Sequence, residues 1–185
     1  ASNYQFGGNP SFEISMNIRI NAGFAQNVGG TRKEAGLYFF NKVNNTGWID
    51  EGRFGVFADG EVAVFGGLQP FTGFGNVYTI NTTATMIYRY WEAGVMDPTR
   101  AAMQAIFIDA VNGNFDSGVK LYDNDPIASL GLRNGSEIAL LAQNSRLPTI
   151  NDFSDIEYSN IQVIPTPGAL AALGMAGLFA ARRRR

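Results

Sequence analysis

The chain has 185 residues, 14 Lys plus Arg against 16 Asp plus Glu, and neither Cys nor His. That length suffices for one domain with its own core, but disulfides, thiolate zinc sites, Cys-His pairs and Ser-His-Asp triads are excluded. Four of the basic residues are the terminal Arg182 to Arg185, so the rest carries ten basic against sixteen acidic residues, a net of −6; that body offers a phosphate backbone no basic footprint, and nucleic acid is excluded as a partner.

Glycine is abundant, at 22 residues, and only 16% of the chain is charged, a composition of strands and turns. The segment SFEISMNIRI (11–20) puts Phe12, Ile14, Met16, Ile18 and Ile20 on one side and Ser11, Glu13, Ser15, Asn17 and Arg19 on the other, which predicts a half-buried strand. EAGLYFF (34–40) predicts a more fully buried one. In RFGVFADGEVAVF (53–65), Asp59-Gly60 between two apolar runs predicts a hairpin. Further strands are predicted at 76–80, 85–91, 119–122, 137–142 and 158–164, a spacing that suits a sandwich or jelly roll.

Two readings stand for DPTRAAMQAIFIDAVNG (97–113). Asp97 as cap, Pro98 in the first turn and Gly113 beyond the end make a helix. Alternation of Met103, Ala105, Phe107 and Asp109 with Gln104, Ile106 and Ile108 makes a strand, and the strand neighbours on both sides favour the latter. The Gly-rich FGG and GFG stretches lack a strand-to-helix context and read as turns or sheet kinks rather than phosphate loops. The fold expected is all-β, a jelly-roll type two-sheet sandwich over 1–164, followed by a separate segment at 165–185.

That segment, IPTPGALAALGMAGLFAARRRR from 164 on, has a Pro-x-Pro spacer, an apolar run and an Arg cluster. The run from Ala169 to Ala181 is 13 residues, and counting from Pro165 gives 17, the lower end of what spans a bilayer. It is expected to form a short apolar helix, with the arginines on the cytoplasmic side and the domain outside. A buried terminal helix would carry a polar face, and this run has none.

Pro165, Thr166, Pro167 and Gly168 followed by the apolar run and Arg182, Arg183, Arg184 and Arg185 resemble the PEP-CTERM sorting signal of Gram-negative bacteria, in its Pro-Thr-Pro-Gly-Ala variant. Thr166 stands where the name-giving signal has Glu. The resemblance implies export through a Sec-type leader, a transient inner-membrane C-terminal segment, an exosortase as processing partner, and a destination at the cell surface or in the extracellular matrix. The chain begins with Ala1, as after removal of a leader or after trimming.

The hairpin at 52–65, the strand TMIYRYW, the segment AIFIDAVNG and the final FSDIEYSNIQV resemble the concanavalin A-like and laminin-G-like sandwiches. Hydrolases of that superfamily are expected to alternate three acidic residues on one strand. No such triad occurs. Asp155 and Glu157 share one face, Asp50 and Glu51 are adjacent, and both pairs read as solvated surface. A non-enzymatic, glycan-binding or matrix protein is therefore expected, with a secreted carbohydrate-active enzyme of the same fold as the alternative.

Two local sites are candidates. Asp123, Asn124 and Asp125 offer hard oxygen ligands in a turn, suited to Ca2+, although Asn-Asp-Pro is also a plain turn signal. Trp48, read as lying in a loop after NNTG, offers either a cap on the core or a ring for stacking on polysaccharide; Tyr88 and Tyr90 share one strand face and Trp91 takes the other.

Overall fold

A computed structural model describes residues 11–22, 33–43, 47–57, 59–124, 131–132, 135–143 and 154–165. Eleven strands occur among them: β1 (Phe12–Ala22), β2 (Glu34–Val43), β3 (Gly47–Phe57), β4 (Glu61–Phe65), β5 (Thr72–Asn76), β6 (Thr83–Trp91), β7 (Ala102–Asp109), β8 (Gly113–Asp116), β9 (Lys120–Leu121), β10 (Ser136–Gln143) and β11 (Asp155–Pro165). One sheet runs β11-β1-β6-β7-β8, with β9 also on β7, and the other runs β10-β2-β3-β4-β5. Every pairing is antiparallel. The two sheets close over a shared core and form a β-sandwich.

The alternation predicted for β1 is obeyed. Phe12, Ile14, Met16, Ile18 and Ile20 are buried and the residues between them face outward. The facing layer comes from Ala35, Leu37 and Phe39 of β2, Phe54 and Val56 of β3, and Val62 and Val64 of β4. Rings bridge the layers, with Phe39 and Tyr88 centroids 4.5 Å apart and Tyr78 edge-on to Phe107 at 6.1 Å. Burying a large apolar side chain contributes about 1.5–3 kcal/mol, so this interior supplies most of the drive to fold.

The 97–113 segment takes its strand reading. In β7, Met103, Ala105, Phe107 and Asp109 are buried while Gln104, Ile106 and Ile108 face outward. Asp97 still caps, since its Oδ1 accepts the Thr99 and Arg100 backbone N–H groups at 2.9 Å each, but the element it caps is a turn leading into β7. The Asp59-Gly60 hairpin joins β3 to β4: Gly60 N–H donates to Phe57 O at 2.9 Å and Gly60 takes φ 85°, a backbone that glycine adopts without strain.

One strand expectation is corrected. The strand predicted at 76–80 lies earlier, as β5 over Thr72–Asn76, because the chain must leave that sheet after Asn76 to cross to β6; the crossing is tied by the Val77 and Tyr78 N–H groups, both donating to Gly60 O at 3.0 Å. The sheet kink expected at GFG (73–75) is present, as a bulge inside β5 where the register to β4 shifts. GNFD (113–116), which has no apolar alternation, is nevertheless strand β8, recruited by the hairpin from β7.

Four buried tyrosines and the half-buried Tyr158 make the fold alkali-sensitive. Burial pushes the phenols of Tyr78, Tyr88, Tyr90 and Tyr122 above their ordinary value and that of Tyr158 up to about 12. These groups are neutral in both states below about pH 10. Above it the unfolded chain loses its protons first, so stability present below pH 10 is lost as pH rises through the folded values. The urea midpoint is expected to be level up to pH 9.5 and to fall between about pH 10 and 12 together with the rise of phenolate absorbance; a midpoint that stays level to pH 12 would contradict it.

Candidate functional site

The outer face of the five-stranded sheet is built by alternation. With Leu37, Phe39, Phe54, Val62 and Val64 turned inward, Tyr38 and Phe40 of β2, Arg53 of β3 and Phe65 of β4 are turned outward. The register aligns them: Tyr38 pairs with Arg53, and Arg53 pairs with Phe65. Thr72 pairs with inward Val64, so Phe71, one residue earlier, continues the row beside Phe65. The result is a row of rings and one cation, running perpendicular to the strands.

Arg53 is the centre of the row. Its guanidinium lies 5.3 Å from the Tyr38 ring centroid and 5.4 Å from that of Phe65, within cation–π range of both. Nη1 donates to Glu34 Oε2 at 2.9 Å and Nη2 to Asp50 Oδ2 at 3.1 Å. Burial pulls the Arg53 pKa down, but the hydrogen bonds and charges of Glu34 and Asp50 outweigh it and the group titrates above its ordinary value. Burial and the Asp50 charge raise the Tyr38 phenol, against the opposing charge of Arg53, so Tyr38 presents a neutral hydroxyl at any physiological pH. Tyr38 also stacks on Phe40, centroids 5.5 Å apart and 17° from parallel.

Phe71 is 73% exposed, the most exposed large apolar side chain among the described residues. Its ring lies against Gly73 of the edge strand β5. With so little of the ring covered, it contributes little to folding. Sequence reading passed over Phe71 because a lone aromatic after Gln-Pro carries no periodic signal.

Opposite this face, inside the sandwich, lies a polar cluster. A register shift between β2 and β3 leaves Glu51 without a partner in the ladder and turns it inward, where it is 0% exposed and accepts a hydrogen bond from Ser136 Oγ. Tyr88 Oη donates to Gln69 Oε1 at 2.5 Å and lies 3.2 Å from Tyr122 Oη. The expectation that Asp50 and Glu51 are both solvated is thus corrected: the bulge seals Glu51 into the core while Asp50, with a side chain 40% exposed, stays on the outer face. Asp155 and Glu157 are exposed, as expected, and Glu157 Oε1 accepts from Asn21 Nδ2 at 2.9 Å.

Trp48 is corrected in its placement. It belongs to β3, paired with Lys42, because β2 and β3 extend together past the bulge to Gly47; its side chain lies outside the described residues. Asp123 and Asn124 are exposed beyond β9, and Asp125 lies outside the described residues. Among the described residues no group of three or more His, Cys, Asp or Glu is placed to hold a metal ion. In the C-terminal segment Pro165 ends β11, opposite Phe12. Thr166, Pro167, Gly168 and Arg182 to Arg185, with the predicted apolar helix, lie outside the described residues.

The class of protein this architecture defines is the all-β, two-sheet antiparallel sandwich. No family model and no curated protein matches the chain. Among solved structures the chain is similar to the crystal structure of the marine PL-14 alginate lyase from Aplysia kurodai, at 8% identity and a TM-score of 0.42, over 86% of this chain and 71% of that one.

Proposed function

We propose that the protein is an exported surface or extracellular-matrix component, a concanavalin A-like jelly roll that binds polysaccharide non-catalytically on the outer face of its five-stranded sheet. The observation that carries the binding reading is the row Tyr38, Arg53, Phe65 and Phe71. Ring faces stack on the apolar faces of sugars, and the flanking carboxylates and the Tyr38 hydroxyl supply hydrogen-bond partners for sugar hydroxyls. In this reading Glu51 supports the fold, since it is sealed from any substrate.

Export rests on the C-terminal segment. Pro165, Thr166, Pro167 and Gly168, the apolar run and the four arginines would be read by an exosortase, which removes or exchanges the tail after translocation. Intact mass of the protein recovered from its producer is expected to show a species ending near Pro167 or Gly168, or carrying a C-terminal adduct, outside the cell. A species in the inner membrane that keeps all four arginines would make the tail a simple anchor. Polysaccharide binding is tested separately, by retention of the protein on insoluble glycans.

A further inference from the structure

Resting on that reading of the outer face, we infer that its ligand is an uncharged polysaccharide, laid across the strands from β2 toward β5, and that polyuronates and other polyanionic glycans are rejected. The charge arrangement carries the inference. Arg53, the cation at the middle of the row, is held by two carboxylates, Glu34 at 2.9 Å and Asp50 at 3.1 Å. Lys42, on the same face, is 3.2 Å from Glu137 Oε1. Each of these two cations is thus already paired, three carboxylates to two cations, in a body that is itself near −6.

A polyanion approaching this face meets like charge, and the Arg53 guanidinium is already engaged by two carboxylates. A carboxylate on the ligand would have to displace Glu34 or Asp50 from Arg53, leaving a displaced carboxylate beside its own. An uncharged sugar meets none of this. It can stack on the exposed ring of Phe71 and the half-buried rings of Phe65 and Tyr38, and donate its hydroxyls to the free lone pairs of Asp50, whose side chain is 40% exposed. Three strand spacings of about 4.8 Å give the row a length of about 14 Å, room for a short run of sugar rings.

The test is affinity electrophoresis of the full chain at low ionic strength in gels containing a neutral β-glucan, xylan or galactomannan, and in parallel alginate or polygalacturonate. Retardation is expected in at least one neutral gel and in neither polyuronate gel. Phe71→Ala, which removes an exposed ring, is expected to weaken that retardation about tenfold with an unchanged melting temperature. Asp50→Asn keeps an oxygen for the Gly52 N–H, now accepted at 2.8 Å by Oδ1, but releases part of the Arg53 charge. It is expected to gain retardation by the polyuronates. Retardation of the unaltered protein by alginate or polygalacturonate would overturn the charge argument and leave polysaccharide binding standing. Retardation by a neutral glycan that survives both Phe71→Ala and Tyr38→Ala would remove the row as the site. Absence of retardation in every gel would overturn polysaccharide binding itself and the inference with it.

Discussion

Replacing Asp109 by Ala is expected to lower the free energy of unfolding by about 2–4 kcal/mol, from the loss of an acceptor shared by two backbone N–H groups. Asp109 ends β7 at 2% exposure. Its Oδ1 accepts the backbone N–H groups of Val111 at 2.9 Å and Asn112 at 2.8 Å, and Oδ2 accepts the Thr82 hydroxyl at 3.1 Å. Asn112, oriented by this contact, donates through Nδ2 to Val77 O and Thr79 Oγ1, both at 2.9 Å. One carboxylate therefore fixes the β7–β8 turn and the crossing from β5 to β6. Alanine leaves the two backbone donors without this acceptor, at about 1–3 kcal/mol for each that stays dry, while the Thr82 hydroxyl keeps Thr79 O at 2.5 Å. Asp109→Asn, which keeps one acceptor oxygen, is expected to lose about half as much. Urea unfolding reads both values; a shift of the midpoint by Asp109→Ala equivalent to less than about 1 kcal/mol would show that water takes over these contacts.

Gly36→Ala is the second large effect, about 3–5 kcal/mol, from steric overlap added to backbone strain. Gly36 has φ 146°, and a Cβ there would sit 2.2 Å from the carbonyl oxygen of Phe54 and 2.9 Å from the Cα of Gly55. Both are backbone atoms of the neighbouring strand and cannot swing aside. The unusual backbone serves a contact across the sandwich. Gly36 N–H donates to Tyr158 Oη at 3.0 Å, and Tyr158 Oη donates in turn to Leu141 O, so a tyrosine of one sheet joins β2 and β10 of the other. Gly75→Ala is the matched control. Gly75 has φ 83° but nothing within 4 Å of a built Cβ, and its cost is expected to be the backbone strain alone, about 1–2 kcal/mol. Equal melting temperatures for the two variants would show that β2 and β3 separate without penalty.

The Asp109 effect lies away from the outer-face row, whereas Gly36, two residues from Tyr38 and against the Phe54 carbonyl beside Arg53, adjoins it. Asp109 sits between the crossing loop and β7, and Gly36 sits under Tyr158, whereas Phe71 is 73% exposed. A variant at Phe71 that lost polysaccharide retention while melting normally would therefore report on the face itself.

The sequence contains the strands that have one wet and one dry side. The alternation in 11–20, the Asp59-Gly60 turn and the β7 segment are period-two patterns or turn chemistry, and both are local, so they can be read without knowing any partner. It also contains the Pro-x-Pro, apolar and Arg-rich order of the C-terminal segment, a linear pattern on which the proposal of export rests. What it could not contain was the effect of pairing. GNFD is a strand only because β7 offers it a ladder, Trp48 is in a strand only because β2 runs alongside it, and Glu51 is sealed only because a register shift with β2 turns it inward. The row from Tyr38 to Phe71 is likewise set by the register of β2, β3, β4 and β5, which brings together residues far apart along the chain. Alternation tells a residue which side of its own strand it occupies; which residue of another strand stands beside it depends on the hydrogen-bonded ladder, and that exists only in the folded sheet.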